Sequence, residues 1–171
     1  MTTMLEILEP AIDQLCMAFE RGGYNPTPII DLGVLVASAD GTVDAGEREM
    51  LLDVFQTLLD TKITPEVVDA LVTASVKVIE QAGAESRSKL IAAILQDCDT
   101  VEDGILVALA IAFAIQGLSK AEQKVVERIA AAAELEPARL EVLTEKVRKY
   151  ASGGPISVRV SLTPSPPSSR P

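Results

Sequence analysis

The run ADGTVDAGERE, residues 39–49, gathers Asp40, Asp44 and Glu47 around a single glycine, Gly41. Carboxylates so spaced are the hard oxygen donors that Ca²⁺, Mg²⁺ or Mn²⁺ take. In a calcium-loop frame with Gly41 at the invariant glycine, Asp40, Thr42, Asp44 and Glu47 fall on ligand positions five, seven, nine and twelve. Positions one and three would then be Val36 and Ser38, within an apolar stretch. The frame therefore supplies half a loop, and a bound cation would need help from elsewhere, the richest source being Asp97, Asp99, Glu102 and Asp103 of DCDTVED. The same residues also have a purely structural use. Asp44 followed three positions later by Glu47 is a capping box, Val43 is the apolar residue that precedes such a cap, and glycine suits the end of the helix before it.

A second copy separates the two uses. VLVASADGTVDAGEREMLLDVFQTL and LAIAFAIQGLSKAEQKVVERIAAAA both run from an apolar helix through glycine and an aliphatic residue to a cap and a glutamate. Ser119 and Glu122 repeat the box, Leu118 repeats the staple and Gly117 repeats the glycine, but Gln116 stands where the first copy has Asp40 and the turn is one residue shorter. What recurs is what a helix corner needs, and the extra acid does not recur. The metal-site expectation is accordingly Asp40, Asp44, Glu47 and Glu122, against capping alone.

Other chemistry is excluded by what the chain lacks. It contains no histidine, so the commonest general base and a preferred zinc, copper or nickel ligand are absent. Cys16 and Cys98 form no CxxC and have no basic residue beside them, as reactive thiols do. With no nucleophile elbow, phosphate loop or paired-carboxylate motif, the chain reads as a non-enzyme.

The elements that must position these residues are all helical. Apolar residues recur at helical spacing up to residue 150, which predicts an all-α fold: a single bundle of seven to eight helices in two pseudo-symmetric helix–turn–helix halves. A first helix, residues 2–21, carries Leu5, Leu8, Ile12, Leu15 and Phe19 inward, with Pro10 either kinking it or marking a first turn. Thr27 before Pro28, Thr64 before Pro65, and Thr100 with Asp103 read as further helix starts, and Ser119 and Pro137 open the last two. Met50, Leu51, Val54, Phe55, Leu58 and Leu59 form the inward face of the helix after Asp44. Val67, Val68, Leu71, Val72 and Ile79 form the next, Leu90, Ile91, Ile94 and Leu95 another, and Leu140, Leu143, Val147 and Tyr150 the last. The stretch from Ile105 to Ile115 is apolar throughout yet short of the roughly 20 residues a membrane span needs, so it reads as the central buried helix.

Residues 1–151 form the domain, and SGGPISVRVSLTPSPPSSRP, residues 152–171, reads as a Pro/Ser-rich disordered tail in which Ile156, Val158, Val160 and Leu162 alternate. Residues 1–150 hold all 25 acids and 13 of the 15 bases, a net charge of −12. That charge repels phosphate backbones and anionic membranes, so no nucleic-acid partner is expected. With neither a signal peptide nor a disulfide framework, a cytoplasmic setting is expected.

ASADGTVDAGERE, the LQD at Leu95 to Asp97, and AIQGLSKAEQKVVERIA followed by LEP together resemble the TerB-like family, over roughly residues 25–150. These are small helical domains named for bacterial tellurite resistance, also found in a membrane-anchored DnaJ-type co-chaperone. The resemblance implies about seven helices in two halves and a cytoplasmic stress or scaffold role without established catalysis. It also implies an acidic cluster at the two corners proposed to bind divalent metal, with Asp40, Asp44 and Glu47 matching the first corner and Glu122 the second. Two functions follow as expectations: an acidic module for protein partners, basic or membrane-associated ones among them, or a regulatory domain that binds Ca²⁺, Mg²⁺ or Mn²⁺.

Overall fold

The computed structural model describes residues 4–24, 27–41, 43–59, 63–115 and 118–151. Gln116, Gly117, the tail 152–171 and the side chain of Leu5 lie outside what it describes. Eight helices and no strand are found among the described residues: α1 Met4–Arg21, α2 Thr27–Ala37, α3 Ala45–Leu58, α4 Pro65–Ala82, α5 Ala84–Asp97, α6 Val101–Ile115, α7 Lys120–Ala132 and α8 Pro137–Ala151. None is long and apolar enough to cross a membrane.

Two helices form the centre. Every residue of α2 from Pro28 to Ala37 is buried, and α6 is buried from Ile105 to Ala112. They pack on each other; α1 and α8 lie mainly against α6 and α4 mainly against α2, α3 and α5 touch both, and α7 lies mainly against α5 while also touching both. Close approach is enforced by Gly33. A Cβ placed there would meet the Phe55 ring at 2.4 Å and Ile111 Cδ1 at 3.2 Å. Phe55 is fully buried, so its ring has nowhere to go.

The buried stretch of the central pair also carries a charge. Asp31 sits mid-way along α2 at 1% exposure, where a lone carboxylate would be prohibitively unstable. Arg87 of α5 donates to its Oδ2 from both Nε (3.2 Å) and Nη2 (2.7 Å), and Ser75 Oγ of α4 donates to Oδ1 at 2.5 Å. One side chain thus clasps three helices. Sequence reading missed it. An acid flanked by Ile29, Ile30 and Leu32 was the available signal, but its arginine lies 56 residues away.

Some helix starts follow the local code: those of α3, α4 and α7 do, whereas α5 begins at Gly83 with no side-chain cap and Thr27 is itself the first residue of α2. Thr64 Oγ1 accepts from the Val67 N–H, and Pro65 opens α4. At α6 the expected Thr100–Asp103 box does not form, and the buried Thr100 hydroxyl has no hydrogen-bond partner. The Thr100 N–H donates instead to Leu95 O at 2.9 Å, closing α5 through Asp99 at φ +54°. An amide that ends one helix has no proton left for an acid that begins the next. Pro10 lies inside a single helix, exposed. The apolar stripes are narrower than expected: Met50, Val67 and Leu90 face outward at 39–45% exposure because the faces they border are already covered.

Two stability predictions follow from the centre. Gly33→Ala should lose about 1–3 kcal/mol in urea melts through overpacking, although alanine is the better helix former by about 1 kcal/mol. Arg87→Met should cost about 3–5 kcal/mol by leaving Asp31 buried and unpaired, and adding Asp31→Leu and Ser75→Ala should recover most of the loss.

Candidate functional site

Each corner is built by the chain immediately around it. Asp44 Oδ1 accepts the Glu47 N–H at 2.8 Å while Glu47 Oε1 accepts the Asp44 N–H at 3.0 Å. At the second corner Ser119 Oγ accepts the Glu122 N–H at 3.2 Å and Glu122 Oε1 accepts the Ser119 N–H at 3.0 Å. Gly41 has φ +130°, which L side chains rarely adopt, so the turn needs glycine there. Both glutamates are almost fully buried.

The structure brings Asp40, Asp44 and Glu47 to one corner, and Glu122 holds the equivalent place at the other. Burial pushes the Glu47 carboxyl above the usual carboxylate range; the bond from the Asp44 amide opposes this, and the charges of Asp44 and Asp40 add to it. Of the sequence-predicted ligand positions, Val36 is buried in α2 and Ser38 Oγ donates to Leu35 O. The proposed helpers have their own contacts at the α5–α6 junction. Asp97 accepts from the Tyr24 hydroxyl at 3.1 Å, and Glu102 takes both arms of Arg139 at 2.8 Å. Asp103 is raised by burial and by Glu102, with Lys146 opposing. Among the described residues no group of three or more Cys, Asp or Glu side chains is placed to hold a metal ion. The donor set therefore falls short of a preformed cation cage, since one oxygen of Asp44 and one of Glu47 already serve the cap.

A different feature was not foreseen. Between α7 and α8, over Leu109 of α6, runs an open groove of about 570 Å³. Leu109, Leu118, Val126, Ala130 and Leu140 make an apolar floor; Gln123, Glu127, Glu141 and Glu145 make a polar rim, and Arg148 stands at one end. Arg148 pairs with Glu145 and lies 6.0 Å from the Phe113 ring centroid.

Aligning the two copies on their caps explains why this seam is open. Arg48 of α3 crosses to α4, its Nη2 2.5 Å from Asp69 Oδ1 and 2.6 Å from Thr73 Oγ1. The matching residue on α7 is Gln123, whose amide bonds Glu127 on its own helix at 3.2 Å. Gln56 of α3 is matched by Ala131. The signal was in the repeat: an arginine that spans two helices is exchanged for a glutamine that bonds within its own.

Asp44→Ala should cost about 1 kcal/mol through the lost cap, with Asp40→Asn close to neutral in the same melt. Glu47→Gln keeps the acceptor and removes the buried charge, whereas Glu47→Ala loses both. Because the folded state raises this carboxyl, its contribution is full below the ordinary glutamate range and is lost as pH rises through the raised value. Urea melts should therefore show Glu47→Gln at least as stable as the parent at pH 7, the advantage shrinking as pH falls, and Glu47→Ala weaker by about 1 kcal/mol.

A family model described as tellurite resistance protein TerB matches residues 28–144. No curated protein and no solved structure matches the chain.

Proposed function

The chain belongs to the TerB family, and from that premise we propose that it is a non-enzymatic interaction module that docks a basic, amphipathic segment of a protein partner in the α7–α8 groove. One observation carries this reading: the apolar floor of Leu109, Val126 and Leu140 is bordered by Glu127, Glu141 and Glu145, with one arginine among them. Apolar helix faces are recognised in such grooves through anchors one turn apart, and flanking lysines or arginines of the ligand would meet the rim carboxylates. The net charge of −10 draws cationic partners from a distance and selects against anionic ones. A place in tellurite or stress response is the cellular setting that the family suggests for such a module.

The second reading is divalent-cation binding at Asp40, Asp44 and Glu47, with Glu122 in the equivalent position at the other corner. The observation favouring it is that Asp44 and Glu47 meet across the cap and that the charges of Asp44 and Asp40 add to the rise in the Glu47 carboxyl that burial chiefly causes. Calorimetry with calcium chloride tests it, and absence of heat at millimolar calcium would end it.

For the groove, a helical peptide of alternating Leu and Lys faces should bind and shift the amides of Val126, Leu140 and Thr144, while its Leu/Glu counterpart should not. Charge reversal at Glu127, Glu141 and Glu145 should weaken binding by about tenfold or more at low salt, and added salt should have a similar effect. Binding that maps to another face, or that ignores the rim charges, would remove this reading.

A further inference from the structure

The groove ends where α8 ends. Arg148 stands at its open end, and position 151, the last described, lies one turn further along the same helix face, so the chain leaves α8 beside the groove. The segment that follows, Ser152 to Pro171, contains two arginines and no acid, while the groove rim has three glutamates to one arginine. Its first four residues, Ser-Gly-Gly-Pro, carry the turn signals a reversal of direction needs. Ile156, Val158, Val160 and Leu162 then recur at every second position around Arg159. From Arg148 back to Pro137 the groove follows α8 for about 16 Å at 1.5 Å per residue. Five or six residues of extended chain cover that length at about 3.3 Å each, which Ile156 to Leu162 supply.

From this placement we infer that residues 156–162 of the same chain occupy the α7–α8 groove and compete there with an external partner. The inference rests on the groove being a docking site, as proposed above, and adds its regulation. Attachment four residues away gives the tail an effective concentration that a free segment of the same sequence would not have. Arg159 supplies a charge that Glu141 or Glu127 can pair, and the alternating aliphatic residues cover the half-buried Leu118, Leu135 and Leu140. A partner must displace the tail, so its apparent affinity is reduced by the fraction of time that the groove is filled.

The test compares the full chain with the full chain carrying Ile156→Asp, Val158→Asp, Val160→Asp and Leu162→Asp, which leave residues 4–151 untouched. Amide spectra should differ at Gln123, Val126, Ala130, Leu140 and Thr144, equally at all protein concentrations, and the Leu/Lys peptide should bind the substituted chain about threefold more tightly or better. Spectra that coincide throughout the bundle, or differ only on another face, overturn the inference. Differences that fade on dilution also overturn it, since they assign the groove to a second copy. Equal peptide affinity for both chains overturns the competition while leaving the partner reading intact. A peptide that binds neither chain overturns the partner reading alone, because tail-dependent shifts would still put residues 156–162 in the groove.

Discussion

Two apolar stretches that cannot face water on any side, α2 from Pro28 to Ala37 and α6 from Ile105 to Ala112, must lie against each other, and the remaining six helices have to be placed so as to cover them. Each fully buried Leu, Ile or Val contributes about 1.5–3 kcal/mol, and between Ile29 and Ile111 the pair supplies eleven buried side chains of these types, enough to set the topology of the bundle. The close approach comes from size matching. Gly33 on α2 admits Phe55 of α3, and the repeat answers with the sizes exchanged, Leu109 on α6 over Ala130 of α7. Volume is kept although neither residue is, which is the substitution pattern a packed core tolerates best.

Into this apolar centre the protein puts one ion pair. Against the desolvation of Asp31 stand two guanidinium bonds that converge on Oδ2 and a serine hydroxyl on Oδ1, an arrangement that leaves Arg87 near the surface. Its consequence is registration. Aliphatic faces of α2, α4 and α5 could slide by a turn at modest loss, but a slid register would strand a buried charge. The clasp therefore selects one packing among several that hydrophobic burial alone would rank closely.

What could be read from the sequence divides along the range of the interaction responsible. The boxes at Asp44 and Ser119, the Thr64–Pro65 start and the all-α bundle are written within four residues of one another or in a helical period, and the structure has them as read. Thr100 and Asp103 match the same local code, yet the Thr100 amide was already taken by Leu95, so a correct motif met a prior claim on its donor. Met50, Val67 and Leu90 continue apolar stripes past the width that their neighbours cover, and periodicity carries no measure of that width. Asp31 with Arg87, and the groove, depend on which helices become neighbours, which spacing along the chain does not encode. The acidic corner was legible as residues, and its ligand chemistry was not, because capping and coordination call on the same oxygens.

The internal repeat sharpens where recognition belongs. Both halves keep the corner, with its buried glutamate and reciprocal pair of backbone bonds, and a feature retained in both is required by the fold wherever it occurs. Function has to be sought where the halves part. They part at Arg48 against Gln123: the first half spans its α3–α4 seam with a guanidinium held by Asp69 and Thr73, whereas Gln123 bonds Glu127 on its own helix beside the groove. The groove on that side sets half-buried Leu118, Leu135 and Leu140 beside a carboxylate rim, above Leu109, Val126 and Ala130, which are already buried. Asp40 is the other divergence, but it adds a carboxylate to a corner whose oxygens are partly engaged, while the α7–α8 seam adds both a shape and a charge pattern. Among these departures from symmetry, the seam is the one on which the docking proposal rests.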